Sequence, residues 1–470
     1  MKKGSATRTK ALEMTIMAVT AVPPLSVGLS AMGATVDRPH RSRAATSEVR
    51  LVHVGGHRSS VREMRQSAGD TAILNGELGE GARLALELVV AAGESMGADE
   101  LLDINGAHID GCLYHGVAGL DFARRLADAG GVVVVPTTLN VASIDLLHPN
   151  LYRGDADTAR RARQLMEAYV EMGCRPTWTC APYQLADRPA LGDQVAWGES
   201  NAIVFANSVL GARTNRYGDF LDICCALTGR APAVDLHTDD GRRATMALDV
   251  EVPDSWLDED LFYVGLGIVL GRVAGTRVAT ITGLDSRADE DRLKALGAAA
   301  ASSGAVAMFH VEGITPESAT LASAPIERRT RVDTSPIASA LRGLTGDTTE
   351  LGAVSVGTPH ASVAELRTLA SLMDGMRSVV PFYVNTSRDV VAEVPSAIAV
   401  IERFGGTVVT DTCTYITPII GEVTGAVMTN SGKWAYYAPG NLGVEVALGS
   451  LPDCVESAVA GKVVVSGLLS

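Results

Sequence analysis

The sequence has no excess of positive charge, no cysteine pair at zinc-knuckle spacing, no glycine-rich phosphate loop and no unbroken apolar run of membrane-spanning length. Forty lysines and arginines face 54 aspartates and glutamates, giving a formal net charge of −14. A nucleic-acid binder normally carries a basic patch, so that partner class is set aside. By the same token, a small anionic substrate must be held by local donors, because the overall field repels it. Seven cysteines, an odd number, are scattered along 470 residues. Secreted disulfide scaffolds are short and dense in cysteine, so reduced thiols in a cytoplasmic protein are the better reading. Ser431-Gly432-Lys433 lacks the GxxxxGK[ST] pattern of a Walker loop, although its backbone N–H groups and ammonium suit an anion. No short-period repeat is present.

The N-terminus is mixed in character. Lys2, Lys3, Arg8 and Lys10 precede an apolar stretch from Met14 to Ala34, as in a secretory signal. Pro23-Pro24 breaks that stretch and Glu13 stands at its entrance, which argues against a membrane helix. Residues 37–65 are rich in Arg, Ser and His, so residues 1–68 read as a flexible extension unrelated to the catalytic body.

What is present is an α/β pattern, in a chain long enough for two or three domains. Leu, Val and Ala at helical spacing predict a helix within 74–97, and others follow near 121–129, 155–172, 193–210 and 362–376. LLDING (101–106) reads as a short strand. The four valines between Gly131 and Pro136 read as a buried strand of a parallel sheet. Further strands are expected in 305–313, 352–360, 379–387 and 405–419. The expected bodies are 69–280 (first lobe), 281–400 (second lobe) and 401–470 (a segment completing the active-site body).

Polar residues recur just after these apolar strands, where open α/β sheets place ligands. The loops hold His108, Asp110, Cys112 and His115; Thr137, Thr138, Asn140, Ser143, Asp145 and His148; Cys180 and Tyr183; Glu199, Ser200 and Asn201; Thr358 and His360; Cys413 and Tyr415; and Asn430, Ser431 and Lys433. Cys180 and Cys413 each sit beside Thr in such a loop, and thiolates from separate loops can converge on a soft metal or cluster. Buried structural thiols are the alternative. Cys224-Cys225, in FLDICCALTG, reads as packing, and Cys174 and Cys454 as structural. Arg213 and Arg216 in GARTNR form either a carboxylate fork or a surface loop.

Taken in order, AHIDGC, VPTTLN, CAPY, WGESNAIVFANSVLGARTNR, GTPHAS, DTCTY and TNSGKWAYYAPG resemble the large subunit of aconitase X proteins over roughly residues 70–465. The resemblance implies an aconitase-superfamily-like, multi-lobed α/β/α fold with mainly parallel sheets. It also implies a hydro-lyase acting on a small hydroxy acid at an iron–sulfur centre. Family activities include cis-3-hydroxy-L-proline dehydratase and phosphomevalonate dehydratase, and the first is favoured here. By motif, Cys180 and Cys413 match cluster ligands. Archaeal members have a cysteine where this chain has Thr358, so Cys112 is the candidate third ligand. A [2Fe–2S] cluster is then favoured over [4Fe–4S] or mononuclear iron. Gly111, Cys112, Asn140 and Val141 match substrate-lining positions, and Ser431, with Lys433, is expected to bind the carboxylate. Arg213 is the further expected carboxylate contact, and His108, Asp110 and Lys433 are the expected catalytic side chains. A separate small swivelling subunit is the expected partner, with no nucleic acid and no membrane involved. The competing reading is a cluster-free, non-catalytic binding subunit.

Overall fold

The structure is a computed structural model and describes residues 64–321 and 325–469. The extension expected at 1–68 lies outside the described residues as far as residue 63. Residues 64–68 already join the folded body: Arg65 reaches the Glu100 carboxylate at 3.0 Å, and Ser67 caps the helix Ala68–Leu74.

Among the described residues the strands form four sheets, all parallel except a two-stranded antiparallel pair of β1 (Leu101–Asp103) and β5 (Arg230–Pro232). The first sheet has the order β3-β2-β4, with β2 at Gly106–Ile109, β3 at Thr137–Leu139 and β4 at Val195–Trp197. The second has the order β8-β7-β6-β9, with β6 at Met246–Val250, β7 at Ala279–Thr282, β8 at Phe309–Val311 and β9 at Arg328–Val332. The third has the order β12-β11-β10-β13-β14, comprising β10 (Leu351–Ala361), β11 (Phe382–Thr386), β12 (Gly406–Val409), β13 (Ala426–Thr429) and β14 (Val446–Leu448). These strands are short and apolar because helices cover both faces: every residue of β4, β8, β11, β13 and β14 is buried.

Helices fill the gaps between sheets by close approach. The helix Asp260–Ala274 packs on Glu290–Ser303 through glycine: a Cβ at Gly267 would lie 2.3 Å from the Leu296 carbonyl oxygen. That contact explains why LFYVGLGIVLGRVAG is apolar on all sides.

Two expectations are corrected. The valine run is not a strand: Val132 and Val134 are 62% and 63% exposed, and the strand begins only at Thr137. Val133 and Val134 donate their N–H groups to Met172 and Ala226 carbonyls, so the run is a strap across the first lobe, with Val133 and Val135 packed inward. An apolar run alone does not specify a strand when alternate side chains can face out. The lobe boundary drawn at 280 cuts β7, which pairs with β6 on one side and β8 on the other. The second sheet therefore gathers 246–332 and the third 351–448.

Candidate active site

In a parallel sheet the loops leave from the carboxyl ends of the strands. The first and third sheets are linked at these ends. Asp145, after β3, accepts the Thr410 N–H at 2.8 Å, and Asp411, after β12, accepts the Leu146 N–H at 2.9 Å. The Ala142 N–H meets the Asp411 carbonyl at 2.7 Å. Asp145 and His148, which the sequence offers as chemistry, thus work here as stitching, with His148 Nδ1 at 3.0 Å from Asp145.

Between these sheets Cys180 and Cys413, 233 residues apart in sequence, bring their sulfurs to 4.0 Å. His360, at the carboxyl end of β10, completes a buried group whose ligand atoms all lie within 4.8 Å of one another. Each cysteine follows by two residues a non-glycine residue in the left-handed region, Trp178 (φ 45°) and Asp411 (φ 59°). Such backbone persists only where surroundings enforce it. Trp178 is buried, and Arg388 grips Asp411 with two hydrogen bonds of 2.5 Å. Both loops are therefore held in the turns that carry the thiols.

The electrostatics distinguish these thiols. Burial pushes Cys180 up, but the Cys413 S–H, His360 and Lys433 together outweigh it and bring its pKa to about 6. Cys413, as donor to Cys180 and buried, is pushed up. The His360 N–H also points at Cys180 Sγ, at 3.2 Å. His360 Nε2 lies 3.2 Å from the Thr412 carbonyl, and Nδ1 lies 3.2 Å from Thr179 Oγ1. Two thiols and an imidazole, gathered in one buried group and oriented by hydrogen bonds, suit a soft metal centre.

Beside this group lies a buried charge pair. Lys433 Nζ donates to Glu199 Oε1 at 2.6 Å, with the side chains 3% and 6% exposed. Glu199 also accepts from Asn201 Nδ2 (2.9 Å), Ser200 Oγ (3.1 Å) and Asn140 Nδ2 (3.0 Å). Burial would raise its pKa, yet Lys433 and Asn201 hold it at about 2. Lys433 is pushed well above the usual lysine value, since Glu199 and Tyr415 outweigh its desolvation. Ser431 caps the helix Gly432–Leu442 and donates to the Thr358 carbonyl.

Asn140 also donates to Asp110, whose carboxyl is pushed up by burial and by Glu199, Asp219 and Asp222. His108 is fully buried, and desolvation drops its pKa to about 3, so it is neutral. Its Nδ1 meets Thr138 Oγ1 at 2.8 Å, whereas its Nε2 and the Asn140 Oδ1 have no protein partner. Gly111 approaches too closely for any side chain: a Cβ there would lie 2.5 Å from the Tyr169 hydroxyl. Val141 is buried in the same core cluster as Cys180 and Cys413.

The structure thus gathers Cys180, Cys413, Asn140, Asp110, His108, Ser431 and Lys433, and leaves two expected residues apart. Cys112 is outside the three-donor group: its Sγ faces the Ile109 carbonyl at 3.4 Å, and burial with nearby Cys174 and Asp222 pushes its thiol up. Arg213 is spent on Asp239 (2.6 Å) and Glu317 (3.2 Å), and it bridges to Gln194 before β4, whereas Glu199 follows the end of β4. Sequence reasoning singled out neither His360 nor Glu199 for a role, although His360 closes β10 and Glu199 sits just after β4. It missed Asp222, which accepts the Asp110 N–H at 2.7 Å. Nothing in FLDICCALTG signals that contact.

These features define an α/β protein with a thiolate–imidazole centre and a buried Lys–Glu pair between the carboxyl ends of two parallel sheets. Models of the aconitase X first, second and third domains match residues 63–240, 244–342 and 351–460. The chain belongs to the aconitase X family. It is 45% identical over 410 residues to a cis-3-hydroxy-L-proline dehydratase of Pseudomonas aeruginosa, covering 85% of this chain and 70% of that protein. It is 38% identical over 393 residues to the phosphomevalonate dehydratase large subunit of Methanosarcina mazei, covering 83% and 96%. The crystal structure of Thermococcus kodakaraensis aconitase X, in its holo-form, superposes with a TM-score of 0.77 at 34% identity, covering 84% of this chain and all of that one. The named relatives are dehydratases, and this chain is a hydro-lyase of that family.

Proposed function

We propose that the chain removes water from cis-3-hydroxy-L-proline, giving Δ1-pyrroline-2-carboxylate by way of an enamine, as the large subunit of a two-part enzyme. The carrying observation is the meeting of Cys180 and Cys413 at 4.0 Å in a buried group with His360. Two relatives named for this substrate, at 45% and 43% identity, support it over the phosphomevalonate alternative, represented at 38%. Relatives named as large subunits support a separate small partner. Free thiols support a cytoplasmic setting, and among the described residues no helix is long and apolar enough to cross a membrane.

Cys180 and Cys413 would hold an iron–sulfur cluster, with His360 the nearest third donor and Cys112 the alternative on the adjoining loop. A [2Fe–2S] form is favoured, because Thr358 offers a hydroxyl rather than a thiol. When bound, the iron supplies Lewis acidity that eases departure of the hydroxyl. The protein's own groups do the rest. Lys433 has two N–H donors beyond the one on Glu199 and binds the carboxylate, while Ser431, expected to share that role, has its hydroxyl spent on the Thr358 carbonyl and its N–H on Thr429 Oγ1. Asp110, whose carboxyl is pushed well up by its surroundings, delivers a proton to the departing oxygen, while the α-proton passes to a base that the small subunit supplies. His108 Nε2 and Asn140 Oδ1, both without protein partners, orient the ring beside Gly111 and Val141.

The test is anaerobic co-purification with the small subunit, iron and sulfide analysis, and assay with hydroxyproline isomers and phosphomevalonate. Dehydration of the cis-3 isomer is expected. Turnover of phosphomevalonate alone selects the alternative, and a colourless, iron-free complex refutes both.

A further inference from the structure

Asp222, in the first turn of the helix Leu221–Thr228, is fully buried. Among the described residues no lysine or arginine pairs with it, and burial pushes its carboxyl up to about 8. A buried carboxyl without a counter-ion costs stability, so packing alone does not account for it. Both of its oxygens are taken by backbone. Oδ1 accepts the Ile223 N–H at 2.6 Å, and Oδ2 accepts the Asp110 N–H at 2.7 Å. The same Oδ2 also seats the neighbouring loop: a Cβ at Gly198 would lie 2.5 Å from it and 2.7 Å from Asp110 Cβ. Glycine is what lets the backbone that carries Glu199 come so close. The side chains close the circuit from the other end, because Asn140 Nδ2 donates both to Asp110 Oδ1 and, at 3.0 Å, to Glu199 Oε2. Asp110 and Glu199 lie just beyond the last residues of β2 and β4, Ile109 and Trp197. Their separation is therefore fixed twice, by Asp222 at the backbone and by Asn140 at the carboxyl groups.

We propose that Asp222 is a positioning residue for the dehydration: it holds the Asp110 carboxyl in register with the Glu199–Lys433 pair, so that the proton reaches the departing hydroxyl of the bound substrate. The role rests on the dehydratase reading above. The test uses the iron-loaded complex with its small subunit, with rates referred to iron content. Asp222→Ala should lower kcat about 100-fold, the cost of a misplaced acid, with KM, iron and sulfide unchanged. Asp222→Asn keeps an acceptor oxygen for the Asp110 N–H and should stay within about 10-fold of wild type. Gly198→Ala, which drives a methyl group against the same oxygen, should lower kcat by about 10-fold or more and serves if Asp222→Ala does not fold. A residue acting through Asp110 is non-additive with it: on top of Asp110→Asn, Asp222→Ala should cost less than about 3-fold more. Full kcat in iron-loaded Asp222→Ala, an equal loss in Asp222→Asn, or an undiminished loss on top of Asp110→Asn overturns the role. If wild type dehydrates cis-3-hydroxy-L-proline and Asp222→Ala does so at full kcat, the substrate reading stands and the positioning role fails. If wild type dehydrates only phosphomevalonate and Asp222→Ala loses kcat on it, the substrate reading fails and the positioning role stands. A wild-type complex that dehydrates neither overturns both.

Discussion

Replacing Glu199 with glutamine probes the centre of the site, because Glu199 and Lys433 are buried together at 2.6 Å. The Glu199 pKa falls from 4.5 to about 2 as Lys433 and Asn201 outweigh burial. A depressed carboxylate stabilises the fold above its unfolded value of 4.5, and that stabilisation fades as pH falls from about 4.5 toward 2. The gap between 4.5 and 2 corresponds to about 3 kcal/mol at neutral pH. Glutamine also strands the Lys433 ammonium, left with the Tyr415 ring at 5.8 Å. One-sided removal of a buried pair costs about 3–5 kcal/mol, so the two routes agree in size. Urea denaturation of iron-free protein at neutral pH should therefore show Glu199→Gln less stable by about 3 kcal/mol, with an unchanged slope. The difference from wild type should shrink in acid. Adding Lys433→Met should restore most of the loss, since no charge is then left unpaired. A cost below about 1 kcal/mol, typical of an exposed pair, or a full difference that persists at pH 2 and below, would refute the picture of a buried ionised pair.

Three further outcomes are expected. Cys413→Ala and His360→Ala should lose iron and visible absorbance while Cys112→Ser keeps both; the reverse pattern for His360 and Cys112 reassigns the third ligand to Cys112. Gly111→Ala should lower the thermal midpoint by the equivalent of about 1–3 kcal/mol, because its Cβ would lie 2.5 Å from the Tyr169 hydroxyl and 2.6 Å from the Asp219 carbonyl. Arg242→Met, which removes a fully buried guanidinium from Glu317, should cost about 3 kcal/mol in chemical denaturation, and adding Glu317→Gln should return much of it.

The sequence shows where the loops begin better than how they meet. Cys180 and Cys413 could be singled out because both follow strands beside Thr, and the structure brings their sulfurs together. Their approach depends on Trp178 and Asp411 in left-handed backbone, which no local propensity announces. Cys112 reads equally well as a ligand in sequence. Only the direction of its side chain, toward the Ile109 carbonyl, tells it apart. Arg213 and Arg216 are indistinguishable by spacing, because the partners of Arg213 lie 26 and 104 residues away. The valine strap reads as a strand because period-two burial and a continuous apolar run look alike when polar alternation is missing.

The pairing of a cysteine from the first sheet with one from the third has a consequence for biogenesis. As the chain emerges from the ribosome, Cys180 appears long before Cys413 exists. Until the third sheet has docked on the first through Asp145 and Asp411, neither thiol has its counterpart. A metal held by this group would therefore be acquired late, and its retention would report that both ends of the folded body have closed on each other.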